Sequence, residues 1–329
     1  MTRCSPFGHI ELACTWLHGS YMAVSLETMR ARVDNVTQAG RPLTLRGSPL
    51  IIQQQSDPLI VIRQTDHAFL SGFFARELGN EHFSQPEPFA SFCLAAAEHD
   101  NGWQEWEMAP GVDPKTFAPY TFMTVPTEEH IALYQRGIER VVKVDLYAGL
   151  LVANHCVALY DRTRATIPGY SAKYVKAQEQ QAANDFVQRL RLQVVRLQVD
   201  LRNNALTKAY TEEKLIKANS QRLDALDRLS LHFCLGNSEN TTIEGVPVDD
   251  RGKEVDWEVR CVGQNQFTIE PYPFRRYPLE FALLARRIPK RRYADENDLL
   301  SVLTPASFFN IRYTLRPHSA TNTPFVAGA

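Results

Sequence analysis

The feature that most limits the folds open to this chain is a change of hydrophobic period at Gly236. From about Asp66 to Gly236, apolar residues recur at three- and four-residue intervals, the spacing of a buried helix face. Beyond Gly236 they alternate: Trp257, Val259 and Cys261, then Phe267 and Ile269, then Leu279, Phe281 and Leu283, and finally Phe309, Ile311, Tyr313 and Leu315. Alternation puts successive side chains on opposite faces of a strand. Earlier, LIIQQQSDPLIVIRQ reads as two short strands about the turn Ser56-Asp57-Pro58. The expected fold is mainly α (α+β): a helical bundle over about residues 66–236 and a β-rich part over about 237–316, with a small antiparallel sheet drawn from the N- and C-terminal segments. Residues 46–316 form one expected domain, 1–45 an N-terminal extension without clear periodicity, and 317–329 a disordered tail.

Within the helical half, the first helix starts near Asp66, carries Leu70, Phe73, Phe74 and Leu78, and stops at Gly79-Asn80. Pro86 and Pro88 precede a second, over residues 89–100. Thr127-Glu128-Glu129 opens a third, with acids in its first turn where the helix dipole favours them. A fourth covers about 146–160, a fifth about 171–201, and a sixth runs from Thr211 to a glycine stop at Gly236. The proline-punctuated stretch from Asn101 to Pro126 is a long loop, and loops of that length inside a compact domain are often functional.

Six polar residues interrupt the inward faces of these helices: His67, His99, Asp100, His130, His155 and Asp227. Taken singly, an inward histidine is an ordinary hydrogen-bonded core residue. Left unsatisfied, each would cost about 1–3 kcal/mol. Four histidines and two aspartates on five helices are accounted for together by one or two shared divalent metal ions, with Fe, Mn, Zn and Mg as candidates. The adjacent pair His99-Asp100 stands at the centre of the set, at the end of the apolar run AAAEHDNGW.

The order His67, His99-Asp100, Asp227 resembles that of the HD superfamily of helical metalloproteins, named for the adjacent His-Asp pair. The resemblance implies an HD-type helical bundle with each ligand on its own helix. It also implies that His130 and His155 supply the further histidines of two-metal members, with Asp100 bridging. More closely, QTDHAFLSG, QPEPF, AAAEHDNGWQEWE and PYPF resemble a family known only as a domain of unknown function, over roughly residues 47–315. The chain departs from many HD enzymes in one respect. Gly102 is followed by Trp103, where a substrate-binding lysine is often found.

These residues lead to a metal-dependent hydrolase, acting on a phosphate ester of a small-molecule substrate through an activated water. Asp100 and Glu98 are the candidate catalytic residues, and Trp103, Trp106 and Arg228 the candidate pocket residues. An HD-fold di-iron oxygenase cleaving a C–C or C–P bond is the first alternative, and a non-catalytic binding protein the second. The 36 basic and 37 acidic residues, a net charge of −1, give no electrostatic argument for nucleic acid or an anionic membrane. No apolar run is long enough to cross a bilayer. Six scattered cysteines without a C-x-x-C, and an N-terminus unlike a secretory signal, lead to an expected cytoplasmic setting. There is no glycine-rich phosphate loop, no G-x-S-x-G and no H-E-x-x-H.

Overall fold

The computed structural model describes residues 50–108, 110–162 and 179–318. The expectations for residues 1–45 and for the tail beyond His318 lie outside the described residues. In chain order the elements are β1 (Ile51–Gln53), β2 (Leu59–Ile62), α1 (Gln64–Glu77), α2 (Phe89–Glu98), α3 (Thr127–Val144), α4 (Leu146–Arg162), α5 (Gln180–Asn203), α6 (Glu213–Cys234), β3 (Thr241–Pro247), β4 (Glu254–Gly263), β5 (Gln266–Glu270), β6 (Leu279–Ile288), α7 (Glu296–Leu303) and β7 (Phe309–Pro317). A 3-10 turn at Asn101–Trp103 and a one-turn helix at Gln104–Glu107 follow α2.

The strands form one sheet in the order β1-β2-β6-β7-β5-β4-β3. Every pairing is antiparallel except β5 with β7. The sheet exists because the alternating residues share a face: Leu279, Phe281, Leu283 and Ala285 of β6 are buried while Glu280 and Ala282 are exposed. That face packs on α1 and α6 through an aromatic cluster in which Phe233 contacts Phe74, Phe267, Phe281 and Tyr313. On the other side, a smaller core of Leu59, Val61, Ile288, Tyr293, Leu299 and Leu303 lies under α7.

The described residues are 49% helix and 22% strand, with seven strands in one mixed sheet. The architecture is therefore not the expected mainly α, HD-type bundle with a small antiparallel sheet. Three features account for the difference. In β3, Gly245 at φ +69° sits where the register slips between Ile243 and Val246, which breaks the alternation that marks a strand. The helix α7 is announced only by Asp295, whose carboxylate accepts from the Asp298 amide as an N-cap. The parallel β5–β7 pairing arises because β7 inserts between β5 and β6, a pairing order that local periodicity does not encode. The last strand, β7, runs through Pro317.

Helix α6 is enclosed by α1, α4 and the sheet. Its polar groups are therefore buried along with its apolar ones: Asn219, Arg222, Asp224, Asp227, Ser230 and His232. Buried polar atoms need partners, and those of Arg222 are Asn219, Asp250 and Ser84. Asp227 and Ser230 find theirs across the helix interface on α1, in His67 and Ser71. Among the described residues, no helix is long and apolar enough to cross a membrane.

Candidate metal centre

Two adjacent side chains on a regular helix point about 100° apart, so His99 and Asp100 could not both face one point from within α2. The helix ends at Glu98. His99 is its C-cap, and Asp100, at φ −109° and ψ 18°, leaves the helical region and starts the 3-10 turn. This break brings both side chains to the same buried space. Gly102 makes the turn possible: a Cβ there would lie 2.1 Å from the Leu133 carbonyl oxygen of α3, so the two backbones meet without a side chain between them.

Five of the six expected ligands converge. His67, His99 and Asp100 form one group with ligand atoms within 4.8 Å of one another, and His99, His155 and Asp227 form a second that shares His99. Asp227 Oδ1 lies 2.8 Å from His67 Nε2 and 3.3 Å from His99 Nε2, and its Oδ2 lies 3.8 Å from His155 Nε2. Asp100 Oδ2 is 3.6 Å from His99 Nε2 and 3.8 Å from His67 Nε2. Donors bound at about 2.1 Å to one ion stand roughly 3.0–3.4 Å apart in octahedral or tetrahedral arrangements, so these separations are close to the edges of a coordination shell.

The ring orientations fit the same use. His99 Nδ1–H donates to the Ala96 carbonyl at 2.9 Å, which leaves the lone pair of the neutral ring on Nε2. That nitrogen is buried, faces both carboxylates, and has no well-formed hydrogen bond among the described residues. Ser230 Oγ donates to the Asp227 backbone carbonyl and lies 2.8 Å from His67 Nδ1, so its lone pairs accept from that ring and turn His67 Nε2 toward Asp227. Asp100 is held from behind: Tyr134 O–H and Trp103 Nε1–H donate to Oδ1 at 2.8 and 3.2 Å, and Oδ2 is left to face the histidines.

The electrostatics favour a cation. Burial opposes protonation of His99, yet the charges of Asp100 and Asp227 outweigh it and raise the ring to about 9. Burial likewise opposes ionisation of Asp227, but the His67 and His99 rings beside it hold it well below the usual carboxylate range. The field that attracts a proton to this space attracts a metal ion in its place. Beside these donors lies a cavity of about 10 Å³, lined by His67, Asp100, His155 and Asp227 among others, with room for about one water molecule.

The other expected site residues are placed differently. His130 lines the cavity but belongs to neither ligand group; its Nδ1 pairs with the Tyr160 hydroxyl at 2.8 Å, and its ring packs on Trp103 and Tyr134. Burial lowers His130 to about 3, so the ring is neutral. Trp103 lines the cavity, whereas Trp106 is buried in the core and Arg228 reaches toward the Thr242 carbonyl. Glu98 does not line the cavity; burial raises its carboxyl above the usual range, against the opposing effects of Asn101, His99 and Arg140. The residues missed from sequence are Gln64, Tyr134, Tyr160 and Ser230. Gln64 and Ser230 each lie three residues from a ligand, and Tyr134 lies four from His130, spacings that share a helix face.

Comparison with known proteins finds a family described as "Protein of unknown function (DUF3891)", whose pattern matches residues 50–290. No curated protein and no solved structure matches the chain.

Proposed function

Since the chain belongs to the DUF3891 family, which brings no reaction with it, we propose its function from the centre alone: metal-dependent hydrolysis of a small-molecule substrate, a phosphate ester foremost. The observation that carries this reading is His99 Nε2, a buried ring nitrogen that faces two carboxylates and makes no well-formed hydrogen bond among the described residues. His67, His99, His155, Asp100 and Asp227 would hold the ion. The order of these residues along the chain, resembling that of HD metalloproteins, supports the same use. A donor set with three imidazoles suits Zn or Fe better than Mg or Mn. A bound ion of this kind supplies a Lewis acid and lowers the pKa of water toward neutrality.

The protein's own part is to fix the donors. Tyr134 and Trp103 orient Asp100, Ser230 orients His67, and the Ala96 carbonyl orients His99. Because the two ligand groups share one imidazole nitrogen, and Asp100 Oδ1 is already occupied by two donors, the geometry favours one ion over two. The di-iron oxygenase reading draws support from one observation: among the described residues no lysine or arginine lines the cavity, so no protein cation waits there for a phosphate.

Elemental analysis of the purified protein, with a phosphatase panel run beside oxygen-consumption assays, separates these readings. One equivalent of Zn or Fe with phosphatase turnover is expected. Two equivalents of iron with oxygen uptake would favour the oxygenase. His99→Ala and Asp100→Ala are expected to lose the metal while remaining folded by circular dichroism, and full occupancy in both would refute the site.

A further inference from the structure

Gln64 lines the cavity without holding the ion or orienting its ligands. Gln64 opens α1 one turn before His67, so both project from the same helix face. It is 3% exposed, and it lines the cavity that His67, Asp100, His155 and Asp227 also line. Its Oε1 is buried and has no hydrogen-bond partner among the described residues. A buried amide oxygen without a partner is costly, and the cost is relieved when a donor arrives. The cavity has room for about one water molecule.

We infer that Gln64 Oε1 accepts a hydrogen bond from the water that occupies the cavity beside the metal, and so positions that water for reaction. This rests on the metal-centre reading above. The chemistry of the group decides the role. An amide oxygen accepts but does not titrate near neutrality, so Gln64 orients the water and does not take its proton. It also adds no charge, in keeping with described cavity walls that lack lysine and arginine. Gln64 is thus a positioning residue for a nucleophile of water size.

The test uses the full chain loaded with Co(II), with azide as the probe and the visible Co(II) spectrum as the readout. Azide replaces water on a metal but cannot donate a hydrogen bond. In the wild type its binding therefore breaks the bond from water to Gln64. In Gln64→Leu that bond is already absent, so azide is expected to bind about five- to tenfold more tightly, with cobalt stoichiometry unchanged. Gln64→Glu keeps an acceptor and should show no such gain. General damage to the site would weaken azide binding, the opposite sign. Equal or weaker azide affinity in cobalt-loaded Gln64→Leu overturns the inference and leaves the metal centre standing. A wild-type protein that takes up no metal overturns both.

Discussion

Tyr134→Phe isolates the support behind the centre, because it removes one hydroxyl and leaves every proposed ligand in place. The Tyr134 hydroxyl donates to Asp100 Oδ1 at 2.8 Å, and Trp103 Nε1–H donates to the same oxygen at the longer distance of 3.2 Å. A hydrogen bond to a charged group weighs about 1.5–3 kcal/mol, or roughly 10–150-fold in an equilibrium constant. In the metal-free variant Asp100 can turn toward His99, so only the part of that energy that keeps Oδ2 facing the histidines reaches the metal affinity. The expected loss is about 10–100-fold, in the range typical of groups that orient metal ligands. Competition with a chelator measures the affinity directly. Thermal unfolding gives a second reading: at a metal concentration of about 100 times the wild-type Kd, the ion stabilises the wild type by about 2.7 kcal/mol, and a roughly 30-fold weaker variant by about 0.9 kcal/mol. A Tyr134→Phe protein with wild-type metal affinity would show that Asp100 needs no such support.

Two further predictions concern the frame around the centre. Gly102→Ala places a methyl group 2.1 Å from the Leu133 carbonyl oxygen, where backbone must move, so the expected destabilisation is about 3 kcal/mol, read from the urea midpoint; a change below about 0.5 kcal/mol would refute the close approach. His232 is pushed down to about 4 by burial, so below about pH 6.5 the unfolded chain gains a proton that the folded chain resists, and stability is lost as pH falls from about 6.5 to about 4. The shift corresponds to at most about 3 kcal/mol, and His232→Phe, which suits the contacts with Phe233 and Phe267, should lose that part of the acid sensitivity; urea midpoints at about pH 7.5 and 5 that move in parallel for both proteins would count against it.

Much of the candidate centre can be read from the sequence because the residues it brings together lie on faces with a simple period. Asp227 interrupts an apolar stripe of α6, and His155 one of α4, so each is visible as an exception to its neighbours. The orienting groups are harder to see. Tyr134 belongs to the apolar stripe of its helix, and its hydroxyl matters only through Asp100, which lies on another element. Glu98 is adjacent to the pair in sequence yet outside the cavity, since the helix ends immediately after it and the two ligands turn away. The strands from Trp257 to Leu315 are visible one by one. Their assembly is not, because the contacts that define it join residues as far apart in the chain as Leu59 and Ile288.

That pairing has a consequence for how the molecule is made. All five proposed ligands lie between His67 and Asp227, ahead of every strand from β3 onward. During synthesis the complete donor set is therefore available before β6, the second partner of β2, has been made. The pairings that complete the sheet are long-range contacts of the kind that form slowly, and the sheet they build encloses α6. On the metal-centre proposal, an ion present during translation would meet its donors on a chain still open on one side, whereas one added to the finished protein would have to reach a buried cavity.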